Sequence, residues 1–439
     1  MKRSTYSLLW RLAMPLVLMR LWWRGLREKG YRKHWNERRG KYGPRGAGWH
    51  TLWIHAVSVG ETRAAEPLVD ALMAQYPHSR ILMTHMTPTG RAAGHELFAR
   101  HGERFVQSYL PYDTVPKLTR FMRHFTPRIC ILMETEVWPN LISVCKARGI
   151  TVALVNARLS ERSLKRARRF GGLMTEAAAK LSLVAAQTEL DAERVRSLGA
   201  ANVVVTGSIK FDVPIVPAAL AKGVFLRQLI DAGAVPGSDP ASAAVRPVLL
   251  CASTRDGEEA LILDAYKAMP ERPAGLLLLI VPRHPQRFDE VAQLAAGRGF
   301  TVARRSSLGI DGADLPADVD VLIGDSMGEM VAYYAACDCA FIGGSLLPLG
   351  GQNLIEACAV GKPVLLGAHT FNFALASDEA VAIGAASRVV DAADMLAQAR
   401  RLLTDTAARQ AMGEAGFCFA AMHRGATART VELLQGLIY

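Results

Sequence analysis

Three glutamates stand where an apolar run gives way to a helical pattern. Glu61 lies in HAVSVGETRAAEPLVDAL, just after the β-like run TLWIHAVSV, and Glu134 and Glu136 lie in METEVWPNLI after RICILM. A carboxylate placed this way can take a proton from a substrate hydroxyl if its pKa lies near the working pH. Two effects compete there: the positive end of a helix dipole lowers the pKa, and desolvation beneath a bound acceptor raises it. Lys210, in TGSIKFD at the end of another strand, could bring a cation to the same region; a solvated lysine is the plainer reading.

The second half of the chain carries a different pattern. FIGGSLLPLGGQNLIEACAVGKPVLLG reads as strand, glycine-rich loop, a helix opening near Gln352 or Asn353, and another strand. Glycines let backbone amides approach a ligand, and the first turn of a helix offers unpaired N–H groups to a phosphate. Glu356, one turn in, could accept hydrogen bonds from ribose hydroxyls. Ser253 and Thr254 in CASTRDGEEA, Arg283 and His284 in VPRHPQRF, and Met327, Gly328 and Glu329 in IGDSMGEM each follow a further strand. Any one of these alone reads as a capped helix start, but together they describe a phosphate- or carboxylate-binding edge. There is no G-x-x-x-x-G-K-[ST] and no G-x-G-x-x-G directly after the first strand, so P-loop and standard dinucleotide sites lose their support.

Parallel sheets must position these residues. Apolar runs near 52–59, 81–84, 129–133, 152–155, 183–186 and 203–205 alternate with helical patterns such as 62–75 and 191–198; the alternation restarts near 248–252, 275–281, 319–323, 339–343 and 363–366. Near-continuous hydrophobic strands separated by helices predict sheets covered on both faces. The fold class is therefore α/β, two Rossmann-like doubly wound domains, with a ligand cleft expected between the carboxyl ends of their sheets. The expected boundaries are an N-terminal segment 1–45, a first domain 46–213, a linker 214–246, and a second domain 247–439 that includes the terminal helices.

The formal net charge of +12 resembles that of a nucleic-acid binder until it is located. Residues 1–50 carry thirteen Lys or Arg against Glu28 and Glu37, and the remainder is nearly neutral, with 39 basic and 38 acidic residues. The globular part has no general reason to bind a polyanion, and no nucleic-acid partner is expected. The same basic segment holds five of the seven tryptophans around LLWRLAMPLVLMRLWW. Indole rings mixed with Arg suit the boundary between lipid headgroups and acyl chains, on an anionic surface. Only eight uncharged residues separate Arg11 from Arg20, against the roughly 20 that spanning requires, so the expectation is an interfacial anchor. Seven scattered cysteines, without the paired spacing of a zinc site, read as buried thiols in a reducing compartment. No cluster with metal-ligand spacing is present in the sequence, so no metal is expected, and Arg, Lys and helix ends are left to neutralise phosphate.

In this order, HAVSVGE, METEVWPNLI, NARLSERS, GSIKFD, ASTRDGEE, VPRHPQRF, SMGEM and GGQNLIEA closely resemble the 3-deoxy-D-manno-octulosonic acid (Kdo) transferases of lipopolysaccharide assembly, over essentially residues 1 to 425. The resemblance implies a GT-B glycosyltransferase fold and transfer of Kdo from CMP-Kdo, with no further cofactor, onto the lipid A precursor at the inner face of the cytoplasmic membrane. It implies Glu61 as general base, with Glu134 (Glu136 competing) and Lys210 supporting the transition state. It assigns CMP contacts to Pro282 and Arg283, to Met327, Gly328 and Glu329, and to Asn353, Leu354, Ile355 and Glu356. One displacement would invert the anomeric centre. Rival readings are another nucleotide-sugar transferase or epimerase of the same architecture, and a membrane-associated binding protein without turnover.

Overall fold

The computed structural model describes residues 1–43, 48–212, 215–232, 245–309 and 314–438. The chain divides into two compact units, Met1–Val213 with His423–Tyr439, and Pro214–Met422.

The first unit is built on a seven-stranded sheet in the order β3-β2-β1-β4-β5-β6-β7. The strands are β1 (His50–His55), β2 (Ser79–His85), β3 (Phe105–Tyr109), β4 (Pro127–Met133), β5 (Thr151–Ala157), β6 (Leu183–Ala186) and β7 (Val203–Val205). Every pairing is parallel. Alternate residues of one strand enter opposite cores: Leu52 and Ile54 lie in one cluster and Trp53 in the other, as do Ile129 and Ile131 against Cys130 and Leu132. Two buried faces therefore account for the unbroken apolar runs. The winding reverses between β1 and β4, a topological switch point where ligands bind in such sheets.

The second unit carries β8 (Val248–Thr254), β9 (Leu277–Pro282), β10 (Val302–Arg304), β11 (Val321–Ile323), β12 (Cys339–Ile342), β13 (Val364–Leu366) and β14 (Ala386–Arg388). Their order is β10-β11-β9-β8-β12-β13-β14, again all parallel, with the switch between β8 and β12.

Two expected boundaries move. Much of the stretch expected as linker is a helix, Pro217–Ala232, fastened to the second unit by Arg227, which bonds Asp338 at 3.0 Å and the carbonyl of Ala336 at 3.1 Å. Residues 214 and 233–244 of that stretch lie outside the described residues. The terminal helix Ala426–Gln435, expected in the second domain, belongs to the first unit. Its Ala426, Val431 and Leu434 complete the core cluster containing Leu68 and Leu72, and Asp212 accepts hydrogen bonds from the amides of Gly425 (2.6 Å) and Thr427 (2.5 Å). A carboxylate from a 3-10 turn distant in sequence caps the helix start, and the helix's apolar stripe does the rest.

The N-terminal segment is a helix over Arg3–Arg27 with Pro15 inside it. Its inner stripe docks on the first unit: Tyr6 donates to Asp113 (2.9 Å), Ser7 to Asn140 (3.0 Å), and Leu21 is buried. Burial pushes the Asp113 carboxyl up to about 6. Its outer stripe leaves Leu12 (68%), Leu16 (63%) and Trp23 (61%) exposed beside Arg11, Arg20 and Arg24. Among the described residues no helix is long and apolar enough to cross a membrane. The basic segment is not uniform. Residues 37 and 38 belong to the fold, because Glu37 accepts from the Tyr109 amide (2.8 Å) and pairs with Arg91 (2.5 Å), and buried Arg38 lies 3.7 Å over the Tyr109 ring.

Candidate active site

Glu61 follows β1 directly, in a short helix, Val59–Ala64, whose N-cap is Ser58. The Ser58 hydroxyl accepts from the Glu61 amide (3.4 Å) and donates to Glu61 Oε1 (3.0 Å), while Oε2 accepts from the Val57 amide (2.9 Å). This is a variant of the S-x-x-E capping box, and it fixes the carboxyl in one orientation. The competition posed by the sequence has an outcome. Burial dominates and pushes the Glu61 carboxyl from 4.5 up to about 7. The Val57 amide and Ser58 hydroxyl pull it down, and the charges of Glu136 and Glu134 add to the rise. Desolvation here comes from the protein itself and precedes any acceptor.

Those two neighbours follow β4, on the other side of the switch. Glu134 has a left-handed backbone (φ 54°), sparsely populated for a non-glycine residue, held by its amide bonding the Val155 carbonyl (3.0 Å). Its Oε1 lies 2.8 Å from Lys210 Nζ. Glu136 instead accepts from the Trp138 indole (2.7 Å), and burial pushes its carboxyl upward. The structure thus separates the two glutamates: Glu134 has the lysine and Glu136 the indole.

Lys210 is positioned from β5. Asn156, also left-handed (φ 51°), accepts from the Ile209 amide (3.2 Å) and so holds the 3-10 turn Ile209–Asp212. Neither Asn156 nor its role stood out in the sequence; an asparagine ending the apolar run TVALVNA was the available signal.

At the second unit's switch, Gly343, the residue after β12, lies so close to β8 that a Cβ there would lie 2.6 Å from the Ser253 carbonyl oxygen. Only glycine fits. The loop beyond it is shaped by Glu258, fully buried, whose carboxylate accepts from the amides of Arg255 (2.9 Å), Gly344 (2.6 Å) and Leu346 (3.0 Å). Its neighbour Glu259 accepts from Thr254 (2.8 Å) and Arg287 (2.7 Å). Adjacent glutamates in a helix start that both lie at 0% exposure are a positioning device, and the sequence reading passed over them.

The helix expected at Gln352 or Asn353 begins at Ile355 and runs only to Ala359. Asn353 sits outside it, accepting from the Ile355 amide (3.1 Å) and donating to Glu356 (3.1 Å). The first-turn donor expected to meet a phosphate is therefore engaged by a side chain, and Leu354 and Ile355 are buried. Pro282 ends β9; Arg283 is exposed and its amide bonds the Thr254 carbonyl (2.9 Å). Met327 and Gly328 are exposed after β11, and Glu329 accepts from Ser326 (2.7 Å) with Arg305 at 3.4 Å and Lys222 at 3.5 Å. The structure brings Glu61, Glu134, Glu136 and Lys210 together within the first unit. Within the second unit, Pro282 ends β9, and Arg283, Met327, Gly328, Glu329 and Asn353–Glu356 lie in the segments that follow β9, β11 and β12.

The family model described as 3-deoxy-D-manno-octulosonic-acid transferase matches residues 33–213. The chain is 44% identical to a 3-deoxy-D-manno-octulosonic acid transferase of Bordetella pertussis, over 99% of each chain. It is 36% identical to another of Haemophilus influenzae, over 99% of this chain and 98% of that one. A glycosyltransferase of Rickettsia africae ESF-5 has a similar structure, with a TM-score of 0.57 at 13% identity over 89% of this chain and 99% of that one. That likeness carries the fold alone, two parallel-sheet α/β domains of GT-B type.

Proposed function

The chain belongs to the 3-deoxy-D-manno-octulosonic acid transferase family and is a glycosyltransferase, and from that premise we propose that it moves Kdo from CMP-Kdo onto the lipid A precursor, lipid IVA, in lipopolysaccharide core biosynthesis. One observation carries the reading: a single carboxyl group, Glu61, stands at the sheet's switch point with its pKa pushed up to about 7. A base of that pKa is substantially ionised at neutral pH and still strong enough to take a hydroxyl proton in the transition state.

The acceptor hydroxyl loses its proton to Glu61 as its oxygen bonds to the anomeric carbon of Kdo. The bond from that carbon to the CMP phosphate oxygen breaks, and its electron pair leaves with CMP. A single displacement inverts the centre. The transition state has oxocarbenium character, so the placement of charge matters more than covalent chemistry. Glu134 supplies negative charge and Lys210, 2.8 Å away, sets its position. The CMP portion is assigned to Pro282, Arg283, Met327, Gly328, Glu329 and Asn353–Glu356, with the Glu258-shaped glycine loop behind them. The activated donor needs no further cofactor. The test is mass spectrometry of a tetra-acylated disaccharide bisphosphate incubated with the protein and CMP-Kdo. Addition of Kdo mass is expected; no product with CMP-Kdo, but product with a UDP-sugar, would overturn the donor assignment.

In this reading the enzyme works at the cytoplasmic side of the inner membrane, held by the outer stripe of the Arg3–Arg27 helix on an anionic surface. Because residues 37 and 38 are part of the fold, truncation is a poor probe. Changing Leu12, Leu16 and Trp23 together to Ser touches only exposed positions. Affinity for anionic vesicles should fall at least about tenfold, since three large side chains no longer bury in lipid. Unchanged sedimentation with vesicles would refute the anchor.

A further inference from the structure

Beside Glu134 the first unit contains a cavity of about 260 Å³ that the proposed chemistry does not use. It lies between the ends of β4 and β5 and the helices Glu161–Arg169, Gly172–Ala179 and Glu189–Arg196. Leu154, Met174 and Leu198 form apolar walls, while Glu134, Arg158 and Arg166 bring the polar groups. Sites for compact drug-sized ligands run to about 300–1,000 Å³. This one is smaller and mostly greasy, which fits a narrow hydrocarbon chain better than a hydroxyl-rich sugar.

The rim has its own chemistry. The helix Glu161–Arg169 turns buried Ala167 to the cavity and leaves Arg162, Lys165, Arg166 and Arg169 exposed in a second depression; Arg166 lines both. Exposed Phe170 (45%) completes the rim, and its carbonyl accepts from the N-terminal ammonium of Met1 (3.0 Å). The start of the helix with the exposed apolar stripe therefore abuts this rim. An apolar slot, a cationic collar and a carboxylate of the proposed site adjoin one another in one unit.

We propose that this cavity holds one acyl chain of the acceptor lipid, with the arginines of the Glu161–Arg169 helix meeting the lipid's anionic headgroup. The inference rests on the transferase reading and deepens it: the acceptor is recognised as a phosphorylated amphiphile, and the seated chain sets where its hydroxyl stands relative to Glu134. A bulk membrane lipid would share the chemistry, but the presence of Glu134 in the cavity's lining favours the reacting molecule.

The experiment compares kcat/KM of the full-length protein for the tetra-acylated acceptor and its fully deacylated counterpart. At about fourfold in affinity for each methylene buried, even a few give at least about a tenfold preference for the acylated acceptor. Ser163→Phe and, independently, Met174→Trp fill the cavity from half-buried positions. Each should collapse that ratio toward unity while the circular dichroism melt stays cooperative. Equal use of both acceptors by the unmodified protein, or a preference that survives both substitutions, overturns the proposal. Kdo transfer to neither acceptor would instead overturn the proposed lipid A precursor acceptor. In that event a photoreactive single-chain acyl glycerol phosphate still decides about the cavity: labelling within residues 134–198 that Ser163→Phe abolishes supports it. Labelling confined to residues 3–27 overturns it.

Discussion

Replacing Glu61 by Gln should lower kcat/KM for Kdo transfer by about 10²–10⁴, the usual contribution of a positioned general base. The same change should make the protein more stable at alkaline pH. The folded-state pKa of Glu61 is about 7, raised from 4.5. Between those values the folded protein holds a proton that the unfolded chain has lost, so stability is full below 4.5, falls as pH rises toward 7, and stays lowered above it. At roughly 1.4 kcal/mol per unit the loss has an upper bound of about 3.5 kcal/mol, which solvent reaching this half-buried group reduces. A glutamine cannot ionise and escapes it, but it offers one carbonyl oxygen where the carboxylate accepts two hydrogen bonds, which returns about 1 kcal/mol. The melting temperature of Glu61→Gln should therefore exceed that of the parent at about pH 8 and lose that advantage near pH 4. Full activity in the variant would remove the catalytic assignment, and a pH-independent stability difference would remove the buried-carboxyl account.

The second large effect is expected at Lys210. Its ammonium lies 2.8 Å from Glu134, and both side chains are largely covered, at 24% and 18% exposure. Removing the cation leaves a carboxylate without its charge partner, a far costlier state than removing both groups together. Lys210→Met should reduce kcat by about 10²–10³, as loss of a preorganised charge does, with a smaller change in KM. The double variant Lys210→Met/Glu134→Gln should be no worse than Lys210→Met alone, because the two act as one unit. Rate losses that simply multiply would show two independent residues and would end the paired role.

The strands that carry the site were legible because they sit mid-sheet with both faces buried, which forces the apolar runs around Leu52 and Ile131. The three strands that went unread, β3, β10 and β14, are all at sheet edges. One neighbour and a thinner cover tolerate VAR and ASR, which are too short to stand out, and FVQSY, whose strand formers Phe105, Val106 and Tyr109 are interrupted by Gln107 and Ser108. Glu61, Glu134 and Lys210 could be picked out as chemical residues at strand ends, but their assembly could not, since it depends on which strands adjoin at the reversal. The terminal helix was misallotted because its stripe of Val431 and Leu434 would suit either core, and the deciding partner is Asp212, over two hundred residues earlier. The glycine loop was legible as a loop. That its amides are gathered by Glu258, and that the Ile355 amide is engaged by Asn353, is tertiary information with no local signature.

The most direct test of Glu61 as the base is the pH dependence of kcat/KM for the acceptor, which reports ionisations of the free enzyme. The account predicts a limb that rises by one proton to a plateau, with an apparent pKa near 7, and that is missing from the residual activity of Glu61→Gln. A flat profile from about pH 5 to 9, or the same limb in the variant, would contradict it.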